Sequence, residues 1–313
     1  MSMPFYVSPE QAMRDKADYA RKGVARSRSS VVLQYAGGIL MVTPNASSVL
    51  HKISELYDRI AFAAVGRYNE YETLRKAGVT YADVTGYQFD RGDVTARGVA
   101  NWYAQTLGGI ATESIKPYEV EIVVAEVGTQ PDADQIYRIT WDGSVTDEPG
   151  FVAFGGQADL VAAELKERFS DGMSLSEALG AALAALSAGS TGSPAASSAG
   201  SSAGSSAPGG NGDQAGLTAA QLEVAILDRA RAHRTFRRLR GVRLEELLAE
   251  SRDATSGAAE GEEAEAPGTP AAPGDAAAAE GDTAQDAGSK SAPETDEPPT
   301  GPAPGGADGI PRL

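Results

Sequence analysis

Few residues in this chain are equipped for covalent or acid–base chemistry. Cysteine is absent, and histidine occurs twice, at His51 and His233. Disulfides, cysteine nucleophiles and cysteine-based zinc sites are therefore all excluded, and a Ser-His-Asp arrangement would have to use one of those two imidazoles. His51 stands beside Lys52 and Glu55, where it could act as a general base, yet no serine or metal partner is visible. A surface histidine is the simpler reading. The glycine-rich run GGNGDQAG at 209–216 lacks the lysine and the preceding strand that a phosphate loop requires. The tripeptide Arg91-Gly92-Asp93 matches an adhesion motif, but three-residue matches arise by chance. No metal site and no cofactor are expected.

One nucleophile arrangement needs neither histidine nor cysteine. In N-terminal nucleophile hydrolases a Thr, Ser or Cys heads the first strand, and its own freed α-amino group serves as base. The corresponding place here reads ARSRSSVVL, so Ser29 or Ser30 would have to be exposed by processing. No Gly-Thr cleavage point is present, and a helix occupies the region upstream. The expectation is that the chain has no catalytic residue of its own.

The elements around these positions can be read from capping and periodicity. Ser8-Pro9-Glu10-Gln11 opens a helix, with Ser8 as N-cap, Pro9 at the first helical position and Gln11 placed to complete a capping box. The stripe Met13, Ala17, Ala20, Val24 gives it one small apolar face, suited to close packing on another helix. Arg14 with Asp18, and Asp18 with Lys22, are spaced for i,i+4 pairing, while Gly23 weakens the last turn. Two β-rich runs follow in SVVLQYAGGILMVTP, separated by Gly37-Gly38 as a tight hairpin, and another strand in DRIAFAAVG. Helical spacing is found at 67–77 and 93–112. Strands return at YEVEIVVAEV and QIYRITWDGSVT, where Asp142-Gly143 predicts a type I′ turn. Helices at 157–170 and 174–187, a strand pair in LEVAILD and RTFRRL, and a final helix in VRLEELLAE complete the series. Hairpins alternate with paired helices, which predicts antiparallel sheets with helices on their outer faces, an α+β layered fold.

Composition sets the boundaries. From Ala188 to Gly216 the sequence collapses to Ala, Gly, Ser and Pro, and from Ser251 onward to Ala, Gly, Pro, Glu and Asp, so both segments are expected to be disordered. Strand 221–228 is too apolar to stand alone, which makes 188–216 a loop inside one domain. The formal charge of −16 is concentrated in the tail, where 13 acids face 3 bases. This balance argues against nucleic acid as a general partner. One counter-signal is RARAHRTFRRLRGVR at 229–243, with seven arginines, expected to be a solvated strand edge or a face for acidic partners. No apolar run approaches a membrane span and no secretory core is seen, so a cytoplasmic protein without membrane contact is expected.

Taken together, SPEQAMRDKADYARKGVAR, YAGGIL, HKISELYDRIAFAAVGRYNE, YAQTLG, KPYEVEIVVAEVG, YRITWDGSVTDEPGF and LEVAILDR with FRRL resemble the α-type subunits of bacterial, actinomycete-type 20S proteasomes. The match is collinear over residues 3–250 apart from the linker, and it departs from the pattern in the long Ala/Ser/Gly loop and the acidic tail. The resemblance implies a four-layer αββα sandwich of the Ntn-hydrolase, proteasome-like kind, assembled as homo-heptameric rings that cap rings of β subunits, with proteolysis belonging to the β subunit's N-terminal threonine. It implies that a helix at 8–26 lies on the ring face against neighbouring α subunits, and that 27–187 with 217–250 forms one domain. The segment Met1, Ser2, Met3, Pro4, Phe5, Tyr6, Val7 would gate the axial pore. Lys52 would sit in a pocket between α subunits and pair with the C-terminal carboxylate of an AAA ATPase ring that delivers unfolded or tagged proteins. Two rivals are a catalytic Ntn-hydrolase subunit with an N-terminal propeptide and a stand-alone adaptor built on the arginine-rich stretch and the acidic tail.

Overall fold

A computed structural model of the protein describes residues 8–191 and 217–261. The expected gate at Met1–Val7, most of the 188–216 loop and most of the acidic tail lie outside the described residues.

Helix α1 (Pro9–Ala25) comes first, then the hairpins β1 (Ser30–Tyr35) with β2 (Gly38–Pro44) and β3 (Ile53–Tyr57) with β4 (Ile60–Gly66). Helices α2 (Tyr68–Gln88) and α3 (Ala96–Glu113) lead to β5 (Val120–Glu126), β6 (Gln135–Ile139), β7 (Val145–Asp147) and β8 (Phe151–Phe154). Helices α4 (Ala158–Arg168) and α5 (Leu175–Thr191) precede β9 (Leu222–Asp228), β10 (Phe236–Leu239) and α6 (Val242–Gly261).

The strands form two five-stranded sheets, β10-β9-β2-β1-β8 and β3-β4-β5-β6-β7, in which every pairing is antiparallel. Three apolar clusters give the layering. Val32, Ile39, Met41, Val65, Val123 and Leu227 pack between the sheets. Leu33, Leu40, Val224 and Ile226 face Leu165, Leu179, Leu186 and Leu247 of α4, α5 and α6. Phe62, Ile122 and Val124 face Leu74, Tyr103 and Leu107 of α2 and α3. The result is the expected sandwich of helices, sheet, sheet and helices. The central strands are apolar throughout because both of their faces are covered; β2, for example, is buried along its whole length.

Several local expectations are corrected. The β1–β2 turn is made by Ala36-Gly37, not Gly37-Gly38, since Tyr35 already pairs with Gly38. Gly38 is the first strand residue, with φ +147°, and a Cβ there would lie 1.9 Å from the carbonyl oxygen of Leu227. Only glycine fits this close approach of β2 to β9. The turn at Asp142-Gly143 is not type I′, because only Gly143 has positive φ (+83°). Gly143 N donates to Thr140 O and Thr140 N to Ser144 O, a three-residue loop in which Asp142 accepts from Thr140 Oγ1 and Ser144 N. Strands β3 and β8 were absent from the sequence reading. β3 carries a register shift between Glu55 and Tyr57 that breaks its alternation, and β8 has four residues.

Three helices outrun their expected ends. The helix read at 67–77 continues to Gln88, because Gly78 is where Tyr103 packs rather than a stop: a Cβ on Gly78 would lie 1.9 Å from the Tyr103 hydroxyl. Helix α5 reaches Thr191, beyond the expected boundary at 187, and α6 reaches Gly261, beyond 250. Residues that follow an anchored helix add to it without a new nucleation step, so both helices run on into sequence whose composition alone reads as disordered.

Candidate functional site

Helix α1 lies across one end of the sandwich, touching β4 and β5. Ser8 caps it by accepting from Gln11 N at 3.2 Å, but the capping box stays half-made, because the Gln11 side chain donates to Asp15 instead. Neither expected pair, Arg14 with Asp18 or Asp18 with Lys22, closes to ion-pair distance among the described residues. The ties run outward. Lys16 Nζ donates to Ala111 O at 2.8 Å, satisfying a carbonyl at the C-terminal end of α3 that has no helical partner. Lys116 Nζ lies over the Tyr19 ring. Ala20 is fully buried against Ala111 and Trp141. Gly23 is no mere weak point: a Cβ there would meet Glu119 Oε2 at 2.3 Å. The small apolar stripe thus seats α1, although Met13 at its start remains 43% exposed.

Behind α1, Ser29 and Ser30 are buried. Ser29 Oγ accepts from Gln157 N at 3.0 Å, and Ser30 Oγ donates to Thr43 Oγ1 at 2.7 Å. A cleft of about 640 Å³ opens between α1, the β5–β6 region and the β8–α4 loop, lined by Arg21, Val24, Glu121, Arg138, Trp141 and Gly156. Neither serine lines it. Among the described residues no group of His, Asp or Glu is placed to hold a metal ion, and no helix is long and apolar enough to cross a membrane.

Lys52 ends the loop that leaves β2. Among the described residues its ammonium makes a single hydrogen bond, to Pro44 O at 3.4 Å, and no carboxylate approaches it within ion-pair distance. Burial pushes its pKa below the usual 10.5, Glu223 pulling it back and nearby Arg28 depressing it further.

The loop bearing Lys52 is held from β9, on the far side of the linker, by a residue that the sequence reading missed. Glu223, 7% exposed, accepts from Lys52 N at 3.0 Å and Ile53 N at 3.2 Å. It also accepts from Asn45 Nδ2 at 2.7 Å and pairs with Arg238. Arg238 reaches on to Ile53 O, and Asn45 Nδ2 to Leu50 O. His51, expected at the surface, is drawn into this cluster. Its Nε2 accepts from Arg240 at 3.1 Å, and its Nδ1 faces Glu223 Oε1 at 3.4 Å, an arrangement suited to the neutral imidazole. Burial and then Arg238 hold its pKa below 6.5, partly offset by Glu223. The signal for Glu223 was an acid inside the otherwise apolar LEVAIL, in a strand buried on both faces.

The arginine-rich stretch runs along the edge strand β10 and keeps Arg234, Arg237 and Arg243 at least half exposed, the expected solvated strand edge, although most of its charges are met within the chain. Arg229 pairs with Asp134, Arg234 with Glu55, Arg237 with Asp228, Arg238 with Glu223 and Arg243 with Glu246. His233 is exposed, 4.0 Å from Asp58, which also holds Arg91 of the adhesion-like tripeptide.

Two antiparallel sheets between helical layers, with a helix clamped over the end where β1 begins, define the chain as an α+β sandwich of the N-terminal-nucleophile type. Comparison with known proteins narrows this. The family model described as proteasome subunit matches residues 24–199. The protein named proteasome subunit alpha of Streptosporangium roseum is 60% identical over 270 residues, covering 86% of this chain and 95% of that protein. Its namesakes in Thermomonospora curvata (62% over 250 residues) and Kineococcus radiotolerans (61% over 249) each match 80% of this chain and 99% of their own length. The chain belongs to the proteasome subunit family, with its similarity to the α-type members of actinomycetes.

Proposed function

We propose that this chain is a non-catalytic α subunit of a 20S proteasome core in the cytoplasm, forming homo-heptameric outer rings on rings of β subunits. The observation that carries this reading is the seat of α1. Lys16, Tyr19, Ala20 and Gly23 fix the helix over the end of the sheets, and the two serines that could head β1 are buried and hydrogen-bonded. Proteolysis then falls to the β subunits, and this chain controls admission to their chamber. Met1, Ser2, Met3, Pro4, Phe5, Tyr6 and Val7 precede the Ser8 cap and serve as the gate.

Exposed apolar side chains suit assembly. Val84, Tyr87 and Phe89, at the end of α2, are 46%, 91% and 73% exposed, a group that a lone soluble chain has no use for. Lys52, whose ammonium has no carboxylate at ion-pair distance among the described residues, receives the C-terminal carboxylate of an AAA ATPase ring, which delivers unfolded or tagged proteins.

The test is a native mass measurement on the chain tagged after Leu313 and purified from its host. A large particle with a second, N-terminally processed subunit in equal number is expected, and deleting Met1–Val7 should then raise peptide hydrolysis by that particle. A monomer or small homo-oligomer would overturn the proposal.

A further inference from the structure

We infer that Glu223 is the positioning residue of the Lys52 site, holding the Asn45–Lys52 loop so that the ammonium is presented to an incoming carboxylate. This inference rests on the proposed role of Lys52 as the activator-docking lysine.

The loop has little of its own to fix it. Ser47 N donates to Asn45 Oδ1, and Val49 N and Leu50 N donate to Ser47 Oγ, contacts that shape the tip but do not anchor it to the sheets. Val49 and Leu50 are exposed. Ala64 N of β4 holds the Lys52 carbonyl, while the Lys52 and Ile53 amides and the Asn45 side chain all converge on the Glu223 carboxylate. Arg238 holds the carboxylate in turn and also grips Ile53 O. A carboxylate sharing its oxygens among this many donors has one rotamer and a fixed place, and it transmits that place to the backbone of Lys52. The pocket beside it, about 210 Å³ and lined in part by Asn45, Ser47, His51, Leu222, Glu223 and Arg240, leaves the loop unsupported from its other side.

Charge and position predict opposite outcomes when Glu223 is neutralised. By charge alone, Glu223→Gln removes the anion that pairs with Arg238 and acts on Lys52, and an incoming carboxylate should bind more tightly. By position, the loop is released and binding weakens, because an ammonium that must first be ordered loses the advantage of preorganisation. Position is expected to win.

The experiment uses the assembled particle, isolated with its processed partner subunit. A fluorescent peptide with a free C-terminal carboxylate is titrated by polarisation against its carboxamide twin. Lys52→Ala should remove the preference for the free carboxylate; if it does not, the docking role of Lys52 fails and this inference falls with it. If Lys52→Ala removes it, Glu223→Gln should raise the dissociation constant about tenfold or more at unchanged native mass (~1.4 kcal/mol per tenfold). Equal or tighter binding by Glu223→Gln overturns the positioning role alone. Should Glu223→Gln not assemble, Asn45→Ala removes the tether to Glu223 together with the bonds to Leu50 O and from Ser47 N, and leaves the Glu223–Arg238 pair. A severalfold weaker dissociation constant supports the inference, and wild-type binding overturns it.

Discussion

Replacing Asp134 by alanine should destabilise the chain far more than its surface location in the β5–β6 connection suggests. The Asp134 side chain is fully buried and that of Arg229 is 13% exposed. They form a bidentate pair, with both Nη1 to Oδ1 and Nη2 to Oδ2 at 2.8 Å. Asp134 also accepts from Gly128 N at 2.8 Å, and Arg229 donates to Gly128 O at 2.9 Å. The pair joins the outgoing end of β9 to the connection between β5 and β6, and so ties one sheet to the other. Asp134→Ala leaves a guanidinium desolvated and uncompensated, which costs about 3–5 kcal/mol, whereas a well-packed apolar pair can be close to neutral. At about 2–4 °C per kcal/mol for a folded unit of this size, the melting temperature should fall by roughly 6–20 °C. The assay is thermal unfolding of Asp134→Ala, Arg229→Met and the double variant Asp134→Leu/Arg229→Met. The double variant should be less destabilised than the sum of the singles by at least about 2 kcal/mol, as expected for residues in direct contact. Additive singles, or an Asp134→Ala variant within about 1 kcal/mol of the parent, would refute the latch.

Other outcomes follow from the same structure. Gly38→Ala forces a Cβ against the Leu227 carbonyl at positive φ, so β9 cannot keep its register on β2; soluble yield and circular dichroism should show loss of the native fold. Ser30→Ala loses one buried hydroxyl bond to Thr43, costs about 1 kcal/mol and leaves peptide hydrolysis by the assembled particle unchanged. The folded-state pKa of His51 lies below 6.5, so its contribution to stability is complete above the ordinary histidine range and is lost as pH falls through 6.5 toward the lowered value. Melting measured from pH 7.5 to 5 should show that decline, and His51→Gln should flatten it. Carboxylate capture needs the charged Lys52, whose pKa is held below 10.5, so binding should fade on the alkaline side before the usual lysine range is reached.

The elements most legible in the sequence are those whose signal is local. Ser8-Pro9 opened α1, and the apolar runs of β2, β4, β5 and β9 declared strands covered on both faces. What escaped depended on distant partners. Gly78 reads as a helix stop until Tyr103 is known to lie against it, and ISELY loses its alternation at a bulge. Glu223 was visible as an anomaly but not as a hub, because its partners come from the Asn45–Lys52 loop, far away in sequence, and from Arg238 on the next strand. The arginines of 229–243 looked like a patch because their acids at Glu55, Asp134 and Glu223 lie elsewhere in the sequence.

The strand order of the first sheet has a consequence for synthesis. The second sheet is a meander whose five strands, from Ile53 to Asp147, pair with their nearest neighbours in sequence and can close as soon as they emerge from the ribosome. The first sheet cannot. β2 ends at Pro44, and its outer edge waits for β9, which begins at Leu222. At roughly 5–20 residues per second, the wait lasts on the order of 10 to 40 s. For that time a seven-residue apolar strand, GILMVTP, presents a bare edge, the kind of segment that pairs with other nascent chains. Lengthening the segment between α5 and β9 barely changes the final stability, since loop-closure entropy grows by only about 0.6 kcal/mol per doubling, but each added residue prolongs the exposure. Pulse-labelled nascent chains should therefore acquire protease resistance in the 53–147 region first, with β2 protected only after β9 has been made.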